Sequence, residues 1–440
     1  MKHLSSFITV FLVLFLSLSC SADKNQNIIL IIGDGMGFNQ QTAGSLYLHS
    51  QDSALISHQF PVQLAMTTYP ATGGGYDPEK AWSDFDYVKK KVTDSAASGT
   101  AISTGTKTYN GAIGVDQDKK PLTHFMDIAE DLGMATGVVT SVPFNHATPA
   151  GMIAHNEKRH NYHQLAHEML MKSRTDVIMG CGHPFYDNDS QRQNKPNFKY
   201  LSEKLWEALN NQEPGADADG DGEPDTWTII QVRNTFQNHA SGHTPKRVFG
   251  LVPVASTLQV NRSGKEETPF GTPLLDRVPS LEEMTAAALN ILDDDPDGFA
   301  LMIEAGAIDW AGHGNNGPRM VETVVGLEKT VQRVVEWVEH QSSWDETLVI
   351  VTADHETGYL TGPDSNDGQA VWNPLLDNGK GEMPGLEWHS EGHTNQLVPF
   401  QAKGTGAEKF LERADKKDKV RGSYLDNTDI GLQIKAFLQN

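Results

Sequence analysis

The chain is poor in sulfur: its 440 residues hold two cysteines, Cys20 and Cys181. Cys20 closes an N-terminal segment with a basic start (Lys2, His3) and an apolar stretch from Phe7 to Leu18. That stretch is too short to cross a bilayer as a mature helix, and residues 1–20 read as an export signal, to the periplasm or outer membrane of a bacterium. "LSLSC" fits a lipoprotein cleavage site in part, Ser17 standing where Leu is usual, so a lipid anchor through Cys20 and ordinary signal cleavage both stay open. Either event leaves Cys181 alone, which excludes an internal disulfide; stability must come from the core and any metals. Cys181 follows the apolar run in "DVIMGCGHP" and is expected to be a buried small residue rather than a nucleophile.

Basic residues are scarce as well. Lys and Arg number 35 against 57 Asp and Glu, a formal charge of -22, which argues against nonspecific attraction to nucleic acid or anionic membranes and leaves clustered carboxylates able to hold cations. Repeats and low-complexity tracts are lacking, and Gly and Pro are dispersed, so residues 21–440 read as one large globular unit.

What the chain has is a series of short apolar runs rich in β-branched residues: "NIILIIG" (27–33), "ATGVVTS" (135–141), "DVIMG" (176–180), "GFALMIE" (298–304) and "TLVIVTA" (347–353). These have the form of buried parallel strands. Between them Ser280 and Glu283 make a capping box for a helix over Leu281–Leu292, and Val321, Val324, Val331, Val334 and Val338 stripe a longer one. The fold class is therefore α/β, a mostly parallel sheet with helices on both faces. The stretch from about 183 to 275, rich in Asn, Asp, Gly and Pro, breaks the alternation and is expected to be an irregular insertion. Its "DADGDGEPD" sets Asp217, Asp219, Asp221 and Asp225 at positions 1, 3, 5 and 9 of an EF-hand-like loop whose position 12 is Thr228 rather than Glu. A solvated acidic turn and a Ca²⁺ site are both compatible with it.

In open α/β sheets ligands gather beyond the carboxyl ends of the strands. There the sequence places Asp34; His146 and Thr148; Glu304, with Asp309 and His313 shortly after; and Asp354 with His355. A single Asp or His would be ordinary turn chemistry, but four strand ends aim metal-capable groups at one edge. Asp309 and His313, four apart, share a helix face. Mixed Asp and His suit Zn²⁺, and Asp, Glu and Thr oxygens suit Mg²⁺. Cations facing such a set call for an anionic substrate, and paired metals recur in phosphoryl transfer. "VTDSAASGTA" adds a hydroxyl: Thr93 or Asp94 can cap a helix starting near Ser95, where a Ser oxygen next to Zn²⁺ can ionise.

"VTDSAASGTAISTGTKTYNGAIGVD" (92–116), "IIGDGMG", "HATPAG", "EAGAIDWAGH", "TADHETG" and, near the end, "LDNTDIG" strongly resemble the alkaline phosphatases. The resemblance implies a phosphoserine nucleophile at Ser95; one zinc held by Asp309, His313 and His393; a second by Asp34, Asp354, His355 and the Ser95 oxygen; and a magnesium held by Asp34, Thr148 and Glu304. It makes Arg159 the phosphate clamp, and leaves His146 either ligating the magnesium or lying over it. Trp310 stands where some members carry Lys or His and cannot supply their positive charge, so product phosphate is expected to be held less tightly. The implied reaction is two-step hydrolysis of phosphate monoesters, and a homodimer is a family expectation.

Rival readings are a phosphodiesterase or sulfatase of the same superfamily and a noncatalytic metal-binding surface lipoprotein. "DSAAS" lacks the Pro and Arg of a sulfatase motif, and a binding module has no use for Ser95. His163, His167, His239, His243 and His389 are expected outside the ligand set, and Ser98, a turn beyond Ser95, is expected only to pack.

Overall fold

The computed structural model describes residues 26–264, 267–365, 368 and 371–439; the export segment with Cys20 lies outside the described residues. In chain order the sheet strands are β1 (Asn27–Ile32), β2 (Val62–Thr67), β3 (Ala135–Pro143), β4 (Val177–Cys181), β5 (Thr228–Ile230), β6 (Val248–Leu251), β7 (Phe299–Glu304), β8 (Thr347–Thr352), β9 (Val398–Gly404), β10 (Lys416–Asp418) and β11 (Gly422–Asp426). They form one eleven-stranded sheet in the order β10-β11-β2-β9-β8-β1-β7-β3-β4-β6-β5. The five apolar runs of the sequence are its centre, β8-β1-β7-β3-β4, paired in parallel throughout. Every residue of these five strands is buried, as strands covered on both faces must be.

The principal helices are α1 (Phe38–His49), α2 (Ser95–Thr104), α3 (Ala147–Ile153), α4 (Tyr162–Met171), α5 (Leu281–Leu292), α6 (Ala307–His313), α7 (Gly317–Gln341) and α8 (Thr428–Leu438). Two sets of mutually packed helices flank the sheet: α1, α5 and α7, and separately α2, α3 and α8. Helix α5 starts where the capping box requires, Ser280 Oγ accepting from Glu283 N (3.1 Å) and Glu283 Oε2 from Ser280 N (2.9 Å), a device worth about 1 kcal/mol. The five stripe valines of α7 are all buried.

The sheet also holds what the apolar runs did not announce. Strand β9 lies antiparallel between β8 and β2. It carries Pro399, a residue normally kept off central strands, and Gln401, whose amide is buried against that of Gln41. The 183–275 stretch is irregular over only part of its length, because β5 and β6 leave it to extend the sheet in parallel beyond β4.

Candidate active site

Register levels the strand ends. Ile32 pairs with both Glu304 and Thr352, and Glu304 with Thr140. The next residues along each chain therefore emerge at one height: Asp34 after β1, Glu304 at the end of β7, Asp354 and His355 after β8, and, after β3, His146 capping α3 with Thr148 in its first turn. Gly35 allows the turn after Asp34. Its φ is +74°, and a Cβ there would lie 2.7 Å from Asp309 Cα, so only glycine fits.

Asp94 caps α2, its Oδ1 accepting from Ala97 N (2.9 Å), and Ser95 is the first helical residue. Ser95 Oγ lies 3.2 Å from His355 Nε2. That same nitrogen is 3.4 Å from Asp34 Oδ1 and 3.3 Å from Asp354 Oδ2. Beside this set, His313 Nε2 and His393 Nε2 each lie 3.3 Å from Asp309 Oδ1 and 3.1 Å from each other, and the His393 ring stacks on His355 at 3.6 Å. Of the third expected set, Thr148 Oγ1 and Glu304 Oε1 are buried with no hydrogen-bond partner among the described residues, and the Glu304 carboxylate lies close enough to Asp34 to act on it.

The fit to cations rests on such orphaned atoms. Among the described residues both Asp34 carboxylate oxygens and Asp354 Oδ2 are likewise buried without hydrogen-bond partners, at a cost of about 1–3 kcal/mol for each polar group left so. Burial, then the carboxylates of Asp354, Asp309 and Glu304, push Asp34 well above the usual carboxylate range. Burial lifts Glu304 to about 7, and burial with Asp309 lifts Asp354 to about 6. Asp309 is driven down: burial favours its proton, but His393, His355 and His313 outweigh that. Burial, then the neighbouring His393, keeps His355 neutral, and burial, then Arg159, lowers His146 to about 3. Asp34, Glu304 and Asp354 thus resist ionising and His355 and His146 resist protonation, while for His393 burial is outweighed by Asp309, which raises it; such a mixture of donors suits a metal centre.

The sets open into a cavity of about 500 Å³ lined by Ser95, His146, Arg159, Asp309, Trp310, His313 and His393. Arg159 reaches it from the loop before α4, donating from one terminal nitrogen to Asp94 Oδ2 (3.1 Å). Trp310 meets the His146 ring edge to face at 5.7 Å.

Several contributors were missed by sequence reasoning. Thr357 Oγ1 donates to Asp309 Oδ1 and lies 3.3 Å from His355 Nδ1, so one hydroxyl links both His-containing sets. Thr140 Oγ1 donates to Glu304 Oε2, while the carbonyls of Thr93 and Glu391 face the Nδ1 atoms of His393 and His313. Thr357 sits inside "TADHETG", and that adjacency to Asp354 and His355 was the available signal. Ser98 does more than pack: its Oγ donates to the Asp354 carbonyl (2.7 Å) and accepts from Asn427 Nδ2 (2.9 Å). In the same closing segment Gly431 lets α8 touch the end of α2, where a Cβ would lie 2.5 Å from Gly105 N.

Among the described residues, His163, His167, His239, His243 and His389 join no cluster of metal-capable groups. His163 Nε2 faces the Phe198 carbonyl and His389 Nε2 the Thr361 hydroxyl. Cys181 is buried, its Sγ donating to the Ser141 carbonyl at 3.4 Å, and burial pushes its thiol well up, which suits a structural residue.

Residues 25–384 match the family model for alkaline phosphatase. The chain belongs to the alkaline phosphatase family. Members are metal-dependent hydrolases of phosphate monoesters, and the observed sheet and donor sets agree with that. Alkaline phosphatase of Escherichia coli is 31% identical over 369 residues, 79% of this chain and 74% of that relative. Alkaline phosphatase 4 of Bacillus subtilis is 30% identical over 342 residues, 76% of this chain; the match spans 62% of that relative, less than two thirds of its length. The cold-active alkaline phosphatase of a Shewanella species, a solved structure, superposes with a TM-score of 0.65 at 26% identity, covering 94% of this chain and 99% of its own.

Proposed function

We propose that this chain hydrolyses phosphate monoesters to alcohol and inorganic phosphate through a phosphoserine at Ser95. One observation carries the reading: Ser95 Oγ completes a corner with His355, Asp34 and Asp354 at the capped start of α2. Asp309, His313 and His393 would hold one zinc; Asp34, Asp354, His355 and Ser95 a second; and Asp34, Thr148 and Glu304 a magnesium, with His146 beside it. When bound, such cations favour the ionised Ser95 oxygen, neutralise the phosphoryl charge and stabilise a departing alkoxide.

The chain's own groups perform the rest. Ser95 Oγ, its proton lost to solvent, attacks phosphorus in line; the Oγ–P bond forms as the ester P–O bond breaks, and the alcohol leaves with a proton from water. Water then cleaves the phosphoserine, returning the Ser95 hydroxyl and releasing phosphate. Arg159 offers its planar fork to two phosphoryl oxygens, held in reach by Asp94. The same Asp94 caps α2, leaving N–H groups of its first turn near the incoming anion. No contact demands a particular alcohol, which supports broad monoester scope. A phosphodiesterase would have less use for Arg159, and a metal-binding lipoprotein none for Ser95.

Export is supported by the basic and apolar pattern of residues 1–18, and a lipid on Cys20 by "LSLSC". Among the described residues no helix is long and apolar enough to cross a membrane. The test is hydrolysis of a simple aryl phosphomonoester against a diester and a sulfate ester, with and without chelator. Monoester turnover that is abolished by chelation and by Ser95→Ala is expected; turnover that survives both contradicts the proposal.

A further inference from the structure

A second cavity, of about 240 Å³, shares no lining residue with the catalytic one. Its wall is aromatic, with Tyr76, Trp82, Tyr359 and Trp372 among the lining residues. Trp82 and Trp372 meet edge to face at 5.4 Å. The polar edges of these rings are already bonded: Tyr76 Oη and Trp82 Nε1 donate to Asp418 Oδ2, each at 2.9 Å, and Trp372 Nε1 donates to Tyr359 Oη at 2.8 Å. Phe85 stacks on Trp372 at 5.5 Å, so what these rings offer a guest is the surface turned to the cavity.

One cation lines the same space. The Arg421 guanidinium lies 4.3 Å from the Phe38 ring centroid and 5.9 Å from that of Trp82. Among the described residues its side chain makes no hydrogen bond and no ion pair. Asp418, the carboxylate nearest in the chain, has its oxygens committed to Tyr76, Trp82 and the backbone N–H groups of Val420 and Arg421. Burial works against the guanidinium charge. Asp418 and Tyr76 favour the charge from nearby, but the N–H groups of this half-buried guanidinium lack an acceptor among the described residues, and on an aromatic shelf they suit a flat anion.

We propose that this cavity binds a small aromatic carboxylate, its ring against Trp82 and Trp372 and its carboxylate on Arg421. A monoanion fits better than a phosphate dianion, because a single guanidinium faces the space and Asp418 stands close behind it. The size is that of one ring with a short substituent rather than of a drug-sized ligand. The site is independent of the catalytic reading and holds or fails without it.

The test is calorimetric titration of benzoate into metal-loaded enzyme saturated with inorganic phosphate, which keeps the catalytic cavity filled. Saturable one-to-one binding is expected, at least tenfold weaker for benzyl alcohol and at least tenfold weaker in Arg421→Met, with hydrolytic activity unchanged. Trp372→Leu, which leaves the cation, should weaken benzoate several-fold. Should Arg421→Met not fold, the comparison of benzoate with benzyl alcohol on the unaltered protein decides alone. No saturable heat, equal binding of the two probes, or undiminished binding in a folded Arg421→Met overturns the proposal.

Discussion

Two acidic regions of this molecule look alike in composition and differ in what their oxygens are doing. In the 217–225 turn, Asp217, Asp219 and Asp225 bring carboxylate oxygens within 4.8 Å of one another. Yet Asp217 Oδ1 and Oδ2 accept from Gly220 N and Gly222 N, Asp225 Oδ2 accepts from Ala218 N, Asp221 Oδ1 accepts from Glu223 N, and Lys246 Nζ sits 2.7 Å from Asp219 Oδ2. These aspartates find donors within the turn and in Lys246, as in a solvated acidic turn. At the sheet edge both oxygens of Asp34, with Asp354 Oδ2, Thr148 Oγ1 and Glu304 Oε1, are buried and lack a hydrogen-bond partner among the described residues. Counting carboxylates does not separate a metal centre from an acidic loop; asking which oxygens still lack a donor does.

That contrast can be broken first by pH. Glu304 at about 7 and Asp354 at about 6 are raised by burial, so below those values a cation must displace a proton, and above them it need not. From these two groups, magnesium affinity of stripped protein should rise by about a hundredfold between pH 5 and 8, and zinc affinity at the Asp354 set by about tenfold. Calorimetric titration with Mg²⁺ and Zn²⁺ checks this, and a flat profile would count against these carboxylates as ligands. Next in size, Thr357→Val should lower zinc retention against a chelator by about 10–100-fold, since one hydroxyl orients ligands of both His-containing sets. Trp310→Lys should tighten inorganic phosphate as an inhibitor by a few-fold, adding the charge that Trp310 lacks; an inhibition constant no tighter than that of the unaltered protein would dismiss the argument from charge. Smallest of all, Asp219→Asn should move unfolding stability by no more than about 0.5 kcal/mol, with Ca²⁺ leaving Tm unchanged for both proteins.

The five central strands were legible because burial on both faces writes an unbroken apolar run, and the ligand-bearing ends followed from where such strands stop. Strand β9 was not, because Pro399 and Gln401 interrupt its run and its partner Gln41 lies 360 residues away. Strands β5 and β6 were hidden in a stretch whose Asp, Gly and Asn dominate its composition. Within the site, Ser95 and the strand-end donors were readable from the residues, and His393, Arg159 and the grouping into sets from the resemblance to a family, whereas Thr357, Thr140 and the Asn427–Ser98 link depend on tertiary approach. A hydroxyl that bonds a ligand rather than a metal leaves no spacing pattern to read.

Of two serines a turn apart, Ser95 is the one proposed to carry the phosphoryl group. Metal-loaded protein turned over with a labelled phosphomonoester, quenched in acid and digested, should yield label on the peptide holding Ser95 and specifically on Ser95, with none in Ser95→Ala. Turnover without trapped label, or label on Ser98, would contradict the account.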